Sequence, residues 1–230
     1  MNSILQKIVD SRRSDSPSHM FRKKRFKVFL DMLNSFGGRP VTILDVGGTE
    51  SYWEMQGFIG TGHSIVLLNT MELTIRYPGF TAIVGDARDL SQFKDKAFDI
   101  VFSNSVIEHV GSYTDQQLMA QELRRVGKRI YVQTPNFYFF IEPHFLFPFF
   151  HWLPVVARVF LVRNFSLGWF EKMSTRSEAL RAVTEIRLLT KSELRRLFPN
   201  TRIVKEKVFG LTKSYIVLDD AAPADAVATY

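Results

Sequence analysis

Residues 41–51 (VTILDVGGTES) combine an apolar, β-branched run with an acid, two adjacent glycines and small polar side chains. This pattern predicts a buried parallel strand that stops at a tight turn after Asp45. Gly47 and Gly48 allow positive φ and let a ligand approach backbone N–H groups closely. Ligands in open α/β sheets bind at the carboxyl ends of strands, so this turn is the first candidate binding site. A strand-to-helix turn that binds nothing would give the same pattern, and that alternative stays open.

Polar residues also follow the next three apolar runs. Asn69 follows residues 63–68 (HSIVLL), Asp86-Ala87 follow residues 80–84 (FTAIV), and Asn104-Ser105 end the run FDIVFSNS. If each run is a parallel strand, these residues meet the glycine turn at one edge of the sheet. The alternative is that each polar residue only caps a turn. The chain has no G-x-G-x-x-G and no G-x-x-x-x-G-K-[ST], which disfavours dinucleotide and nucleoside triphosphate ligands.

Two of these stretches resemble the class I S-adenosylmethionine (SAM) methyltransferases. Residues 44–51 (LDVGGTES) resemble motif I of that class, [VIL]-[LV]-D-[VLI]-G-x-G-x-G, with Thr49 and Ser51 at two of its glycine positions. Residues 98–110 (FDIVFSNSVIEHV) resemble motif IV, F-D-x-V-x-x-x-x-V-x-E-H-V, and are the most specific match. The chain is similar overall to the broad type 11 group of these enzymes, from about residue 41 to residue 136.

The resemblance implies SAM as cofactor and assigns it binding residues. Asn69 stands where an acid usually holds the ribose, and Asp86 with the main chain of Ala87 would meet the adenine. The amino-acid part and the methyl group would lie near a further set of residues: Asp45, Gly47, Gly48, Thr49, Glu50, Asn104 and Ser105.

Methyl transfer from a sulfonium is an in-line displacement, so the protein mainly supplies proximity and orientation. A base is needed only where the acceptor must first lose a proton. His109, just after the fourth strand, is the first candidate base, and His144 is a second one. A histidine that faces a neighbouring helix is the alternative for His109. Glu108-His109 supply too few ligands for a metal ion, so no metal site is predicted.

The strands and the helical patterns between them predict an α/β fold. We expect a Rossmann-like, doubly wound sheet of about seven mostly parallel strands with helices on both faces. Residues 203–209 and 214–218 supply the closing pair of strands. An aromatic-rich insertion follows strand five. The whole chain, residues 1–230, is interpreted as a single methyltransferase domain, with a mobile N-terminus (1–18), an aromatic insertion or lid (137–175) and a disordered tail (221–230).

Residues 137–162 are strongly aromatic, but Glu142 and three prolines interrupt them, which argues against a membrane span. The formal charge is +7, with basic residues concentrated near the N-terminus, including residues 22–25 (RKKR). Aromatic rings and cations together suit an anionic membrane surface. We therefore expect a small hydrophobic or lipid-linked acceptor and peripheral contact through residues 137–162 and the basic helix.

The absence of cysteine and of a signal-peptide pattern predicts a cytoplasmic protein, at the inner membrane face if it binds membranes. The sequence contains no RNA-recognition fingerprint and no zinc finger. It also lacks the [ND]-P-P-[YFW] motif that is typical of amino-group methylases of nucleic acids, so nucleic acid is not the expected partner. Two alternatives remain: a non-catalytic binding or assembly protein on the SAM-binding fold, and an RNA methyltransferase suggested by charge alone. Homodimerisation is left open.

Overall fold

The computed structural model describes residues 17–219, and side chains from residue 22 onward. The predicted tail (221–230) and most of the predicted mobile N-terminus (1–18) lie outside the described residues. The described chain forms two compact units. We call residues 31–136 and 187–219 the sheet unit, and residues 17–30 and 137–186 the insertion unit. The insertion unit thus contains the predicted aromatic insertion and extends to Ile186.

Nine strands and six α-helices are described. The strands are β1 Thr42–Val46, β2 Ser64–Asn69, β3 Phe80–Val84, β4 Phe98–Asn104, β5 Gly127–Pro135, β6 Ile141–Glu142, β7 Phe147–Pro148, β8 Arg202–Val208 and β9 Leu211–Leu218. The helices are α1 Pro17–Asn34, α2 Glu50–Met55, α3 Tyr113–Val126, α4 Val155–Asn164, α5 Arg176–Glu185 and α6 Lys191–Leu197. Two short 3₁₀ turns occupy Ile107–His109 and Phe150–Trp152.

The sheet unit contains a seven-stranded sheet in the order β3-β2-β1-β4-β5-β9-β8. Strands β1 to β5 pair in parallel, and β9 pairs antiparallel with both β5 and β8. The strand order reverses beside β1, which lies between β2 and β4. The predicted α/β sheet with its closing strand pair is therefore confirmed. Its parallel strands place the ends of β1, β2, β3 and β4 along one edge, where ligands bind in such sheets.

Helix α3 shows how local capping and packing agree. Its N-cap is Ser112, whose side chain accepts from the N–H of Asp115, while the Asp115 carboxylate accepts from the N–H of Ser112. The sequence alone predicts a capping box from Thr114 to Gln117, and this prediction is wrong, because Ser112 and Asp115 form the capping box two residues earlier. The spacing of Met119, Leu123 and Val126 predicts an apolar stripe on this helix, and all three residues are buried.

The insertion unit has its own apolar core. The short hairpin of β6 and β7 brings Phe145 against Phe150 and Phe170, with ring centroids 4.2 and 4.7 Å apart. Val162 of α4 and Ala179 of α5 are buried in the same cluster. None of the helices in residues 17–219 is long and apolar enough to cross a membrane.

Asp99 joins three strand starts on the opposite edge of the sheet. Its nearly buried carboxylate accepts from the Arg39 guanidinium (2.8 Å), the N–H of Thr42 (3.0 Å) and Lys128 Nζ (3.0 Å). These donors, first the hydrogen bonds from Arg39, hold the pKa of Asp99 well below its usual range. The cluster therefore stabilises the folded state above the ordinary aspartate pKa of about 4, and this contribution is lost as pH falls below it.

We expect Asp99→Asn to lower the free energy of unfolding at neutral pH by about 1–3 kcal/mol, because the buried hydrogen bonds lose their charge. Arg39 and Lys128 are half exposed, so solvent screens part of the effect. Urea unfolding of both proteins over a pH series measures it. The difference should shrink below about pH 4, where the carboxylate of the unfolded state takes up a proton while that of the folded state stays ionised. A difference that stays constant down to about pH 2 would contradict the assignment.

Candidate active site

The turn after β1 is built on two glycines with different constraints. Gly47 has φ +76°, and a Cβ on it would lie 2.6 Å from Cγ2 of Val106. A Cβ on Gly48 would overlap the carboxylate of Asp45. Both positions therefore need glycine because of neighbouring side chains and backbone conformation. The sequence suggested that a ligand approaches the backbone closely at these glycines. At Gly48 the group that lies close to the backbone is the carboxyl group of Asp45.

Asp45 lies beneath this turn and is almost fully buried. Its Oδ2 accepts a hydrogen bond from Nε1 of Trp53 at 2.7 Å. Burial raises the pKa of Asp45 to about 7, and the hydrogen bond from Trp53 lowers it only in part. The sequence predicts Asp45 as a residue around the cofactor. The structure places its carboxyl group under the turn, where it supports the exposed backbone of Gly47 and Thr49.

Glu50 is also buried, and its carboxylate holds the loop that follows β2. It accepts from the backbone N–H groups of Arg76 (3.0 Å) and Tyr77 (2.9 Å), and it pairs with the Arg76 guanidinium. These contacts use both carboxylate oxygens within the protein. Glu50 thus shapes the carboxyl edge of the sheet by fixing this loop. Thr49 before it is exposed, and its Oγ1 lies 2.9 Å from Oγ of Ser51.

Asn69 is the last residue of β2 and bridges two turns. Its Nδ2 donates to the carbonyl oxygen of Gly48 at 3.4 Å, and its Oδ1 accepts from the N–H of Thr70 at 2.8 Å. The predicted ribose residue is therefore adjacent to the glycine turn, as expected from the strand order. Its side chain also fixes the position of that turn relative to β2.

Asp86 and Ala87 follow β3 at the same edge. The Asp86 carboxylate pairs with the Arg88 guanidinium, which also reaches Asp115 at 3.0 Å. Hydrogen bonds from Arg88 hold the pKa of Asp86 below its usual range, so it is anionic at neutral pH. Ala87 is buried beside it. The sequence did not identify Arg88, because an arginine two residues after an acid is a common surface arrangement.

The end of β4 carries backbone strain. Ser105 has φ +58°, a conformation that is uncommon for residues other than glycine. Its N–H and Oγ both donate to Gln133 of β5, at 2.9 and 2.8 Å. Asn104, just before it, is partly buried, and the hydroxyl of Ser103 is buried without a hydrogen-bond partner in the described chain. Such strain clusters at functional sites, which agrees with the predicted role of Asn104 and Ser105.

His109 ends the 3₁₀ turn after β4 and is exposed. Its N–H donates to the carbonyl oxygen of Val106, so the ring leaves the same loop that packs on Gly47. Glu108 is buried, and its Oε2 accepts from Oγ1 of Thr134 at 3.0 Å. A carboxylate oxygen of Glu108 nevertheless lies within 4.8 Å of a ring nitrogen of His109, so the two neighbouring side chains end close together.

His144 belongs to the insertion unit and lies at the tip of the β6–β7 hairpin. Its Nδ1 lies 2.6 Å from Oε1 of Glu142, and Oε2 of Glu142 accepts from the N–H groups of His144 and Phe145. The Glu142 carboxylate favours the His144 tautomer in which Nδ1 carries the proton. In that tautomer Nε2 is the ring nitrogen that can accept a proton. A buried carboxylate that orients a histidine is a common arrangement in general bases, and the sequence did not point to Glu142.

Residues 60–129 match the family model described as a methyltransferase domain. No curated protein sequence matches the chain. Magnesium protoporphyrin IX methyltransferase from Synechocystis PCC 6803 with bound SAH superposes with a TM-score of 0.51 at 10% identity, covering 86% of this chain and 81% of that chain. A SAM-dependent methyltransferase from Aquifex aeolicus gives a TM-score of 0.47 at 14% identity, covering 95% and 97%.

The family match covers strands β2 to β4 and helix α3. The order of the strands and the likeness to the Synechocystis structure both indicate the methyltransferase fold. These findings support a SAM-dependent methyltransferase with the class I fold. A methyltransferase domain implies SAM as cofactor. The features of this edge fit that group: an exposed glycine turn, an anionic carboxylate at Asp86 and a small buried Ala87. SAM supplies an activated methyl group, so the methyltransferase must chiefly hold and orient it.

The buried Asp45 gives the methyltransferase an unusual dependence of stability on pH. Its folded-state pKa of about 7 lies above the unfolded value of about 4, so the native state binds this proton more tightly. Its contribution is fully present below about pH 4 and is lost as pH rises through about 7. We therefore expect wild type to lose stability relative to Asp45→Asn between about pH 5 and 8, by at most roughly 3 kcal/mol, with most of the loss below about pH 7.

Urea unfolding at several pH values measures this difference, because asparagine keeps an acceptor for Trp53 but does not titrate. Asp99→Asn is the matched control, since the pKa of Asp99 is depressed and its effect should be constant over this range. A wild-type to Asp45→Asn difference that does not change with pH would show that Asp45 keeps an ordinary pKa.

Proposed function

We propose that this methyltransferase transfers the methyl group of SAM to a small hydrophobic or lipid-linked acceptor, and that it works at an anionic membrane surface. The cofactor would be held by the predicted residues of the sheet edge: Asp45, Gly47, Gly48, Thr49, Glu50, Asn69, Asp86, Ala87, Asn104 and Ser105. Asp45 and Glu50 would act indirectly, by fixing the turn and its neighbouring loop. His109 or His144 would take a proton from an acceptor that must lose one.

The observation that carries the acceptor class is an exposed apolar surface in the insertion unit. We define the aromatic face as Phe149, Trp152, Val156 and Phe160, whose exposed fractions lie between 46% and 78%. The rings of Phe149 and Trp152 are in contact, and Val156 and Phe160 lie one turn apart on α4. Large exposed apolar surfaces mark sites of protein or membrane contact in soluble proteins.

Helix α1 adds positive charge to the same unit. Residues 22–27 (RKKRFK) contain five cations and no acid, and Lys23, Lys24 and Lys27 are exposed. Each cation near an anionic bilayer contributes about 1 kcal/mol, and half-burying each aromatic-face side chain contributes roughly 1 kcal/mol more. These two contributions together favour an anionic membrane over a neutral apolar partner. Peripheral attachment at the inner membrane face follows as part of the proposal.

Calorimetry with SAM tests the cofactor site. We expect Asp86→Ala to weaken SAM binding about tenfold, because one hydrogen bond to a charged acceptor is lost. Asp31→Ala on α1 is the control, since it removes an exposed carboxylate away from the sheet edge. Wild type that gives no heat with millimolar SAM would contradict the cofactor assignment, and equal affinity of Asp86→Ala would remove Asp86 from the site.

Co-sedimentation with vesicles tests the membrane contact. We expect wild type to bind vesicles of equal phosphatidylglycerol and phosphatidylcholine at low salt, and a Phe149→Ser/Trp152→Ser/Phe160→Ser variant to bind at least about tenfold more weakly. Phe145 is left intact because it is buried in the core of the unit. Leu118→Ser, an exposed apolar residue on α3, is the control. Wild type that stays in the supernatant would refute the membrane contact.

A further inference from the structure

The tip of the β8–β9 hairpin presents an exposed aromatic side chain in a strained conformation. Residues 208–211 (VFGL) make a two-residue turn in which Phe209 has φ +49° and Gly210 has φ +80°. Phe209 is 100% exposed and Leu211 is 53% exposed. The hairpin belongs to the sheet unit, whereas the aromatic face belongs to the insertion unit.

Phenylalanine at this position brings no benefit to the folded chain. Turns with positive φ at both central residues favour Asn-Gly or Asp-Gly, since a bulky side chain there is a conformational outlier. A fully exposed ring also gains no burial that could offset the strain. Strained residues persist where function requires them, so the ring of Phe209 is best explained by contact with another molecule.

The hairpin tip lies at the edge of the sheet where the parallel strands β1 to β5 end, which is the edge proposed to bind SAM. Strand β9 begins beside the carboxyl end of β5, where Ser214 pairs with Pro135. Asn136 fixes this junction: its N–H donates to the carbonyl oxygen of Lys213 at 2.9 Å, and its Nδ2 donates to that of Thr212 at 2.8 Å. Because β1 to β5 are parallel, the tip and the glycine turn of Gly47 are at the same edge of the sheet.

Cations surround the base of the hairpin. Lys205 and Lys207 of β8 are both exposed, and Glu206 between them accepts a hydrogen bond from Oγ of Ser214. Lys191 on α6 lies near further cations. Its pKa is lowered first by burial and then by repulsion from Arg195 and Lys205. A surface with this charge attracts an anionic partner.

We propose that residues 208–211 insert into the boundary between headgroups and acyl chains of an anionic bilayer, so that the cofactor edge of the sheet faces the lipid. Phe209 and Leu211 would enter the apolar boundary, and the lysines would contact anionic headgroups. Leu211 favours a bilayer over single-stranded nucleic acid, because an aliphatic side chain cannot stack on a base. This inference rests on the proposed membrane function and adds a second contact, on the unit that binds SAM.

Phe209→Asn separates binding from folding. Asparagine adopts positive φ readily, so the variant should unfold about 2–4 °C above wild type while SAM binding stays unchanged. Its partition onto vesicles of equal phosphatidylglycerol and phosphatidylcholine should fall about tenfold or more. Leu118→Ser, which removes an exposed apolar side chain elsewhere in the sheet unit, should bind as wild type does. A Phe209→Trp variant should show a blue shift of its added emission when the same vesicles are present.

The outcomes distinguish this inference from the proposed function. If wild type binds vesicles, Phe209→Asn binds equally and the Phe209→Trp emission does not shift, the hairpin inference is wrong and the aromatic face stands. If wild type does not bind, both are wrong. If Phe209→Asn loses binding to polyuridylate but not to vesicles, the tip is a nucleic-acid contact and the inference is overturned. Loss of vesicle binding by Phe209→Asn with intact SAM binding supports it.

Discussion

The carboxyl edge of the parallel strands depends on one buried hydrogen bond, from Nε1 of Trp53 to Oδ2 of Asp45. Asp45 is near the end of β1, and Trp53 is on the helix that follows the glycine turn. The indole is fully buried, and its ring contacts Phe58 and Phe102, each with centroids 5.2 Å away. A single polar contact thus ties the central strand, α2 and β4 together. With the Asp45 carboxyl in that place, only glycine fits at position 48.

The carboxylates at this edge are used mainly to build the surface that receives the ligand. Glu50 holds the loop after β2 through backbone N–H groups, and Asp86 is paired with Arg88. In the insertion unit, Glu142 closes a hairpin and orients His144 in the same manner. Each carboxylate satisfies donors that would otherwise be buried or left to solvent, so their role is first structural. Exposed backbone at the turn and the strained Ser105 are then left to shape the ligand site.

Each unit also carries an exposed phenylalanine with positive φ. Phe149 in the insertion unit has φ +60°, and Phe209 in the sheet unit has φ +49°. Both residues are in conformations that disfavour bulky side chains, and both expose large apolar area instead of burying it. A chain that only had to fold would favour asparagine or glycine at such positions. The shared combination of strain and exposure is the physical reason for treating both surfaces as contacts with lipid.

The sequence by itself determined the sheet and the positions of its strand ends. The run of residues 98–104 coincides with β4, because a strand buried on both faces must be apolar along most of its length. The run of residues 80–84 coincides with β3, a partly exposed strand at the edge of the sheet. Residues 98–110, which include β4, resemble motif IV, and this resemblance predicted the methyltransferase fold. The adjacent glycines at positions 47 and 48 also predicted a tight turn, because glycine adopts positive φ without steric cost. These inferences need only neighbours along the chain.

Only the tertiary structure decided what the polar residues of the site contact. Asp45 and Glu50 were predicted to face the cofactor, yet Trp53 and the loop at Arg76 take up their carboxylates. Likewise, nothing in an aromatic run tells that Phe145 is core while Phe149 is exposed, or that Phe209 stands alone at a hairpin tip. Burial and hydrogen-bond partners depend on residues far away in the chain, whereas strand and turn preferences depend on residues close by.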